Sequence, residues 1–157
     1  MGEHDKTLIH FSEGRGNLGK VENKVMGWLP FITMLSNPTK TRERRKQYDK
    51  MSTDEQAKLK GIDGYIMGAP VRDNRRANKN ILPRDVGTLD YDYATPAFMV
   101  QIEQGLTPLS KYEFFIHSTR RHTDEKPRIR MFFPMSRPVT AEEWKIVCKM
   151  GGVSPGA

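Results

Sequence analysis

The chain has 157 residues, a formal net charge of +7, 36% hydrophobic residues and 29% charged residues. That length suits one domain with a core of its own, and the balance is that of a globular chain rather than a bilayer-embedded one. The excess of lysine and arginine favours polyanionic partners, nucleic acid or nucleotides, over acidic proteins.

Residues 1–24 carry Gly14, Gly16 and Gly19 among polar residues, and the expectation is a flexible lead-in. The string Gly14-Arg15-Gly16-Asn17-Leu18-Gly19 superficially resembles a phosphate loop, but the preceding strand and the third glycine's spacing are missing. No hydrophobic run comes after Met1 to Lys6, so no signal peptide is expected. The longest apolar stretch, Met26 to Leu35, is interrupted by Pro30 and is too short to span a bilayer; the expectation is a cytoplasmic protein without a membrane partner.

From residue 25 to 150 the pattern is that of a folded domain, with 151–157 a tail. Trp28 to Leu35 reads as a short helix with Trp28, Phe31, Ile32 and Leu35 on one face. Thr41 to Met51 reads as a charged helix, Arg42, Arg44 and Arg45 outward and Tyr48 inward. Its bland alternative is a solvated basic face. Ser52 to Glu55 is a capping box opening another helix toward Lys60. Tyr65 to Met67 is a short strand. Arg72 to Lys79, with Arg72, Arg75, Arg76 and Lys79, lacks apolar periodicity and reads as a basic loop. The next strand runs through Asp90 and Asp92. Thr95-Pro96 then opens a helix with Phe98 and Ile102 inward. Tyr112 to His117 and Arg128 to Phe133 read as strands around a polar connection, and Thr140 to Glu143 is a capping box for a helix through Trp144 and Cys148. Cys148 is the sole cysteine, which excludes an intrachain disulfide and a cysteine metal site; it is expected to be a small buried hydrophobe. The predicted class is α+β, a small mainly antiparallel sheet flanked by helices.

Asp90 and Asp92 are the most informative residues. In a strand, residues two apart share a face about 6.5–7 Å apart. Paired carboxylates on a rigid strand suit Mg²⁺ or Mn²⁺, with substrate phosphates completing the shell. Arg128 and Arg130 alternate with apolar residues and so project to one face, with Ser118, Thr119 and His122 in the turn before them. Guanidinium, hydroxyl and imidazole groups beside carboxylates are what a metal–nucleoside triphosphate needs. The same residues on an exposed strand of a basic protein are the plain alternative.

The stretch Leu89-Asp90-Tyr91-Asp92, the run from Phe115 to Arg130 and the run from Phe133 to Trp144 together resemble phage and mobile-element primases of the archaeo-eukaryotic primase superfamily. Ser118 to Val139 is the most specific part and the acidic pair the least. The resemblance implies a primase-polymerase core on a modified RNA-recognition-like sheet, using nucleoside triphosphates on a DNA template and working with a replicative helicase. It assigns metal binding to Asp90 and Asp92 and, with His122, catalysis. It assigns nucleotide phosphates to Ser118, Arg120, His122, Arg128 and Arg130. Ser118-Thr119-Arg120 departs from the family's Ser-x-His element, so the second-motif role falls to His122 or to Arg120. The basic residues Arg42, Arg44, Arg45, Arg72, Arg75, Arg76 and Lys79 become candidate template contacts. No acidic residue occurs after Glu143, so the family's third acidic motif is missing; the chain then corresponds to the first part of such a domain, and Asp85 and Glu103 are the substitutes at hand. Two rival readings stand beside this one. One is a non-catalytic nucleic-acid-binding module with a primase-like fold. The other is a metal-dependent nuclease.

Overall fold

The computed structural model describes residues 7–16, 19–62 and 64–150, so the expected tail at 151–157 and the start of the expected lead-in lie outside the described residues. The flexible lead-in expected for residues 1–24 is corrected from Leu8 onward, where the chain is already in a sheet. β1 (Leu8–Arg15) and β2 (Val21–Gly27) form an antiparallel hairpin, and β3 (Gly64–Met67) pairs with the other edge of β1. Alternation explains the hairpin: Ile9 and Phe11 are buried on one face while Leu8 and His10 are exposed.

Between these strands lie three helices. α1 (Trp28–Leu35) buries Trp28 and Phe31, and the Trp28 indole donates to the Glu113 carboxylate at 2.8 Å. α2 is Arg45–Lys50, shorter than expected, with Arg42 and Arg44 ahead of it; Tyr48 is its buried residue. α3 (Thr53–Ile62) has the expected capping box, with Glu55 N–H donating to Ser52 Oγ and Ser52 N–H to the Glu55 carboxylate.

The second sheet is built from β4 (Arg84–Tyr91), β5 (Phe115–Ser118) and β6 (Ile129–Val139), antiparallel in the order β4-β6-β5. α4 (Pro96–Glu103) connects β4 to β5, and α5 (Ala141–Met150) comes after β6. β6 runs longer than the predicted 128–133 because Val139 still pairs with Arg84, past a register slip between Arg84 and Val86. β5 is shorter than predicted and leaves Tyr112 exposed. The chain order β-α-β-β-α, with the last strand inserted between the other two, is a split βαβ arrangement. Each of α4 and α5 opens as its sequence demands. Thr95 Oγ1 accepts from Phe98 N–H, and Thr140 Oγ1 accepts from Glu143 N–H.

Both helices cover one face of this sheet, where Leu89, Ile129, Met131, Ile102, Trp144 and Cys148 pack together. On the other face, Val86 and Phe132 meet Ile9, Phe11, Trp28 and Phe31 from the first sheet and α1. The two sheets touch where the backbone of Gly68 lies against Val86: Val86 N–H donates to Gly68 O at 3.2 Å, and a Cβ at Gly68 would sit 2.2 Å from Val86 O. Asp85 adds a polar tie, accepting from the His10 backbone N–H at 2.8 Å and lying 2.8 Å from its ring Nδ1. Among the described residues no helix is long and apolar enough to cross a membrane.

Candidate nucleic-acid interface

The helix-free face of β4-β6-β5 is covered by aromatic residues at one end and polar at the other. Cross-strand register makes the polar end a single row: Asp90 on β4 lies opposite Arg130 on β6, which lies opposite His117 on β5. Arg130 grips Asp90 with two donors, Nε at 2.5 Å and Nη2 at 2.9 Å. The His117 ring stacks on Phe132 at 5.3 Å, and its Nδ1 is 2.8 Å from the Ser118 carbonyl. Sequence reasoning does not find His117 as a site residue. In the sequence it reads as the end of a hydrophobic strand, and only the register puts it in the row.

Asp92 lies just beyond the last residue of β4, exposed, with Arg128 Nη1 at 3.6 Å. The acidic pair therefore does not sit on a single strand face; each carboxylate leans on its own arginine. His122 is close by through the chain: its Nδ1 accepts from the Arg128 backbone N–H at 3.2 Å, which leaves the proton on Nε2. The structure thus pairs Asp90 with Arg130 and Asp92 with Arg128, and sets the His122 ring against the Arg128 backbone. Ser118 is separated from the row, because it pairs with Ile129 and alternation turns both toward the helix side. Arg120 is engaged elsewhere, 3.0 Å from the Glu43 carboxylate and with its guanidinium 5.2 Å from the centre of the Tyr48 ring. There it secures the segment leading into α2. The Glu43 carboxyl is held below its ordinary value chiefly by its own backbone N–H, with Arg120 a smaller contributor.

These residues do not fit a resident divalent ion. Both Asp90 oxygens already accept from a guanidinium, and a cation placed between the carboxylates would face Arg128 and Arg130. Among the described residues no group of three or more His, Cys, Asp or Glu could hold a metal. Asp85, a substitute ligand by sequence, is taken by His10.

The arginines around the row and those of the basic loop differ in their partners. Arg45, Arg120, Arg128, Arg130 and Arg137 each lie against a carboxylate. Among the described residues Arg72, Arg75, Arg76 and Lys79 pair with none, and all are exposed. Their loop is held rather than free. Asn23 on β2 clamps Val71 through both backbone groups, accepting from its N–H at 2.9 Å and donating to its carbonyl at 2.7 Å. Arg76 N–H donates to Gly19 O at 2.6 Å, and Asn80 donates to Arg75 O at 3.2 Å. Asp73 and Asn74 turn the loop through left-handed backbone, φ 57° and 51°, which short polar side chains tolerate. Val71 is buried beneath it with Val21 and Met67. Arg42 and Arg44 make no ion pair among the described residues, and Arg45 pairs with Asp49 while donating to the His122 carbonyl.

A family model described as the VapE N-terminal domain matches residues 3–152. No curated protein and no solved structure matches the chain.

Proposed function

The chain belongs to the VapE N-terminal domain family of phage and mobile-element proteins, and on that premise we propose that it is a nucleic-acid-binding module of the element's replication machinery, built on a primase-like sheet. The observation that carries this reading is the exposed basic loop, whose Arg72, Arg75, Arg76 and Lys79 make no ion pair among the described residues and whose start is tied to the first sheet by Asn23. Unpaired guanidinium and ammonium groups on a fixed backbone bind phosphates without first breaking ion pairs, so their full electrostatic attraction is available. Arg42 and Arg44 extend the basic surface. Binding of labelled DNA tests this: replacing Arg72, Arg75 and Lys79 together by Ala should weaken binding on any sequence and reduce its salt dependence, whereas unchanged affinity would sink the proposal.

A second reading is the primase-polymerase chemistry itself, and it is favoured by the row Asp90, Arg130, His117 on the helix-free face of a split βαβ sheet. In that reading Asp90 and Asp92 would hold Mg²⁺ or Mn²⁺ only together with the oxygens of a nucleoside triphosphate, with Arg128, Arg130 and His122 near the phosphates. The ion-paired carboxylates count for binding without catalysis. Primer synthesis with Mn²⁺, a DNA template and labelled nucleotides separates the two. Products abolished by Asp90→Ala would establish catalysis.

A further inference from the structure

Gly16, Gly19, Tyr65, Arg76, Asn78 and Ile81 line a slot of about 340 Å³ beside the basic loop. The Tyr65 ring is part of its lining. Tyr65 lies opposite Gly14 in the β1–β3 pairing, and a Cβ at Gly14 would fall 2.3 Å from the ring, so only glycine lets the ring fold flat over the strand. The ring's inner face is thereby occupied. The Arg76 guanidinium covers the ring at 4.7 Å from its centre. The Tyr65 hydroxyl is buried with no hydrogen-bond partner among the described residues. What the slot offers a ligand is therefore a guanidinium that an aromatic ring already holds in place. At its edge stand Lys20 and Arg75, joined by an isolated bridge, with Lys79 next to Asn78.

We infer that this slot takes one unstacked nucleotide of a single-stranded nucleic acid, its base stacked on Arg76 and its flanking phosphates on Arg75, Lys79 and Lys20. The inference rests on the binding function proposed above and names the strand form it selects. A guanidinium plane stacks on any base, and unpaired cations track the backbone; together they are the means by which proteins hold single strands without reading sequence. A duplex keeps its bases stacked inside and presents none to a concave slot, so it reaches only the rim cations.

The test uses the full chain, a labelled oligothymidylate of about twelve nucleotides, a duplex of equal length and thymidine monophosphate as competitor. Arg76→Lys keeps the charge and removes the plane. It should weaken single-strand binding about tenfold, leave duplex binding and the salt slope unchanged, and shift the melting temperature little because lysine keeps a cation over the Tyr65 ring. Single-strand affinity within about twofold of the parent chain would overturn the inference, as would an equal loss on duplex or competition by the mononucleotide as strong as by the oligomer. If the Arg72, Arg75, Lys79 to Ala variant loses DNA while Arg76→Lys does not, the slot assignment falls and the binding function stands. A parent chain that binds no DNA overturns both.

Discussion

Asp90 and Arg130 face each other across two strands, each about a third exposed or less, with side-chain accessibilities of 27% and 31%. Two charge-assisted hydrogen bonds in that setting are worth more than a surface ion pair, and removal of one partner leaves the other half-buried and unmatched. Arg130→Met should cost about 2 kcal/mol in urea denaturation. The double variant with Asp90→Asn should cost less than the sum by about 1 kcal/mol, since the lost partner is then absent on both sides. Additive effects would show that the pair is not coupled. Glu143 lies at the start of α5, where Arg137 and then the Thr140 backbone N–H hold its carboxyl down at about 2, from an ordinary 4.5. The folded chain thus releases this proton more readily than the unfolded one. The stabilisation is complete above about pH 4.5 and is lost as pH falls toward 2. Glu143→Gln should flatten the fall of melting temperature across that window and leave the slope near neutrality unchanged. Sequence spacing locates Asp90, Arg130 and Glu143 correctly as polar positions, yet it cannot say that two of them neutralise each other. That depends on strand register.

At the scale of elements, local signals are the readable ones. The capping residues Thr95, Ser52 and Thr140 mark the helix starts because an N-cap needs only its own next three residues. Thr140→Ala should cost about 1 kcal/mol by denaturation, since α5 must bury Trp144 and Cys148 against the sheet. Residues 8–27 go the other way. Their glycines suggest a lead-in, but Gly14 is where the Tyr65 ring crosses β1, a reason that lies far away in the chain. Gly68 is similar: its Cβ would meet the Val86 carbonyl, a backbone atom that cannot swing aside. Gly68→Ala should therefore destabilise by about 2–3 kcal/mol, more than Gly14→Ala, whose clash is with the far end of a side chain. Equal losses in the two variants would show that the sheet junction yields.

For the molecule as a whole, a net charge of +7 would suggest a diffuse attraction to polyanions. The distribution of ion pairs makes a sharper case. Around the second sheet Arg120, Arg128, Arg130 and Arg137 are spent on carboxylates, and among the described residues Arg72, Arg75, Arg76 and Lys79 are not. If about four phosphates are contacted on a single strand, log Kobs against log salt should slope by about −3. Charge removal at Arg72 or Arg75 should lower that slope by about one, measured by anisotropy over a salt series. Arg42→Ala and Arg44→Ala should have the same effect if the basic surface continues to α2, and no effect if the loop acts alone.

The α+β class, the starts of α1, α3, α4 and α5, the basic loop and the carboxylates and arginines around residues 90–130 are legible in the amino-acid order, whereas α2 begins at Arg45 rather than at Thr41. All of these depend on neighbours within a few positions. What those residues do to one another follows from the packing of distant segments. Register set Asp90 against Arg130 and His117 and turned Ser118 to the other face, while packing drew Arg120 to Glu43 and Tyr48 and left Arg72, Arg75, Arg76 and Lys79 without ion pairs among the described residues. The physical reason is range. Capping and alternation are written in adjacent residues, whereas the state of a charge depends on which distant strand is hydrogen-bonded beside it.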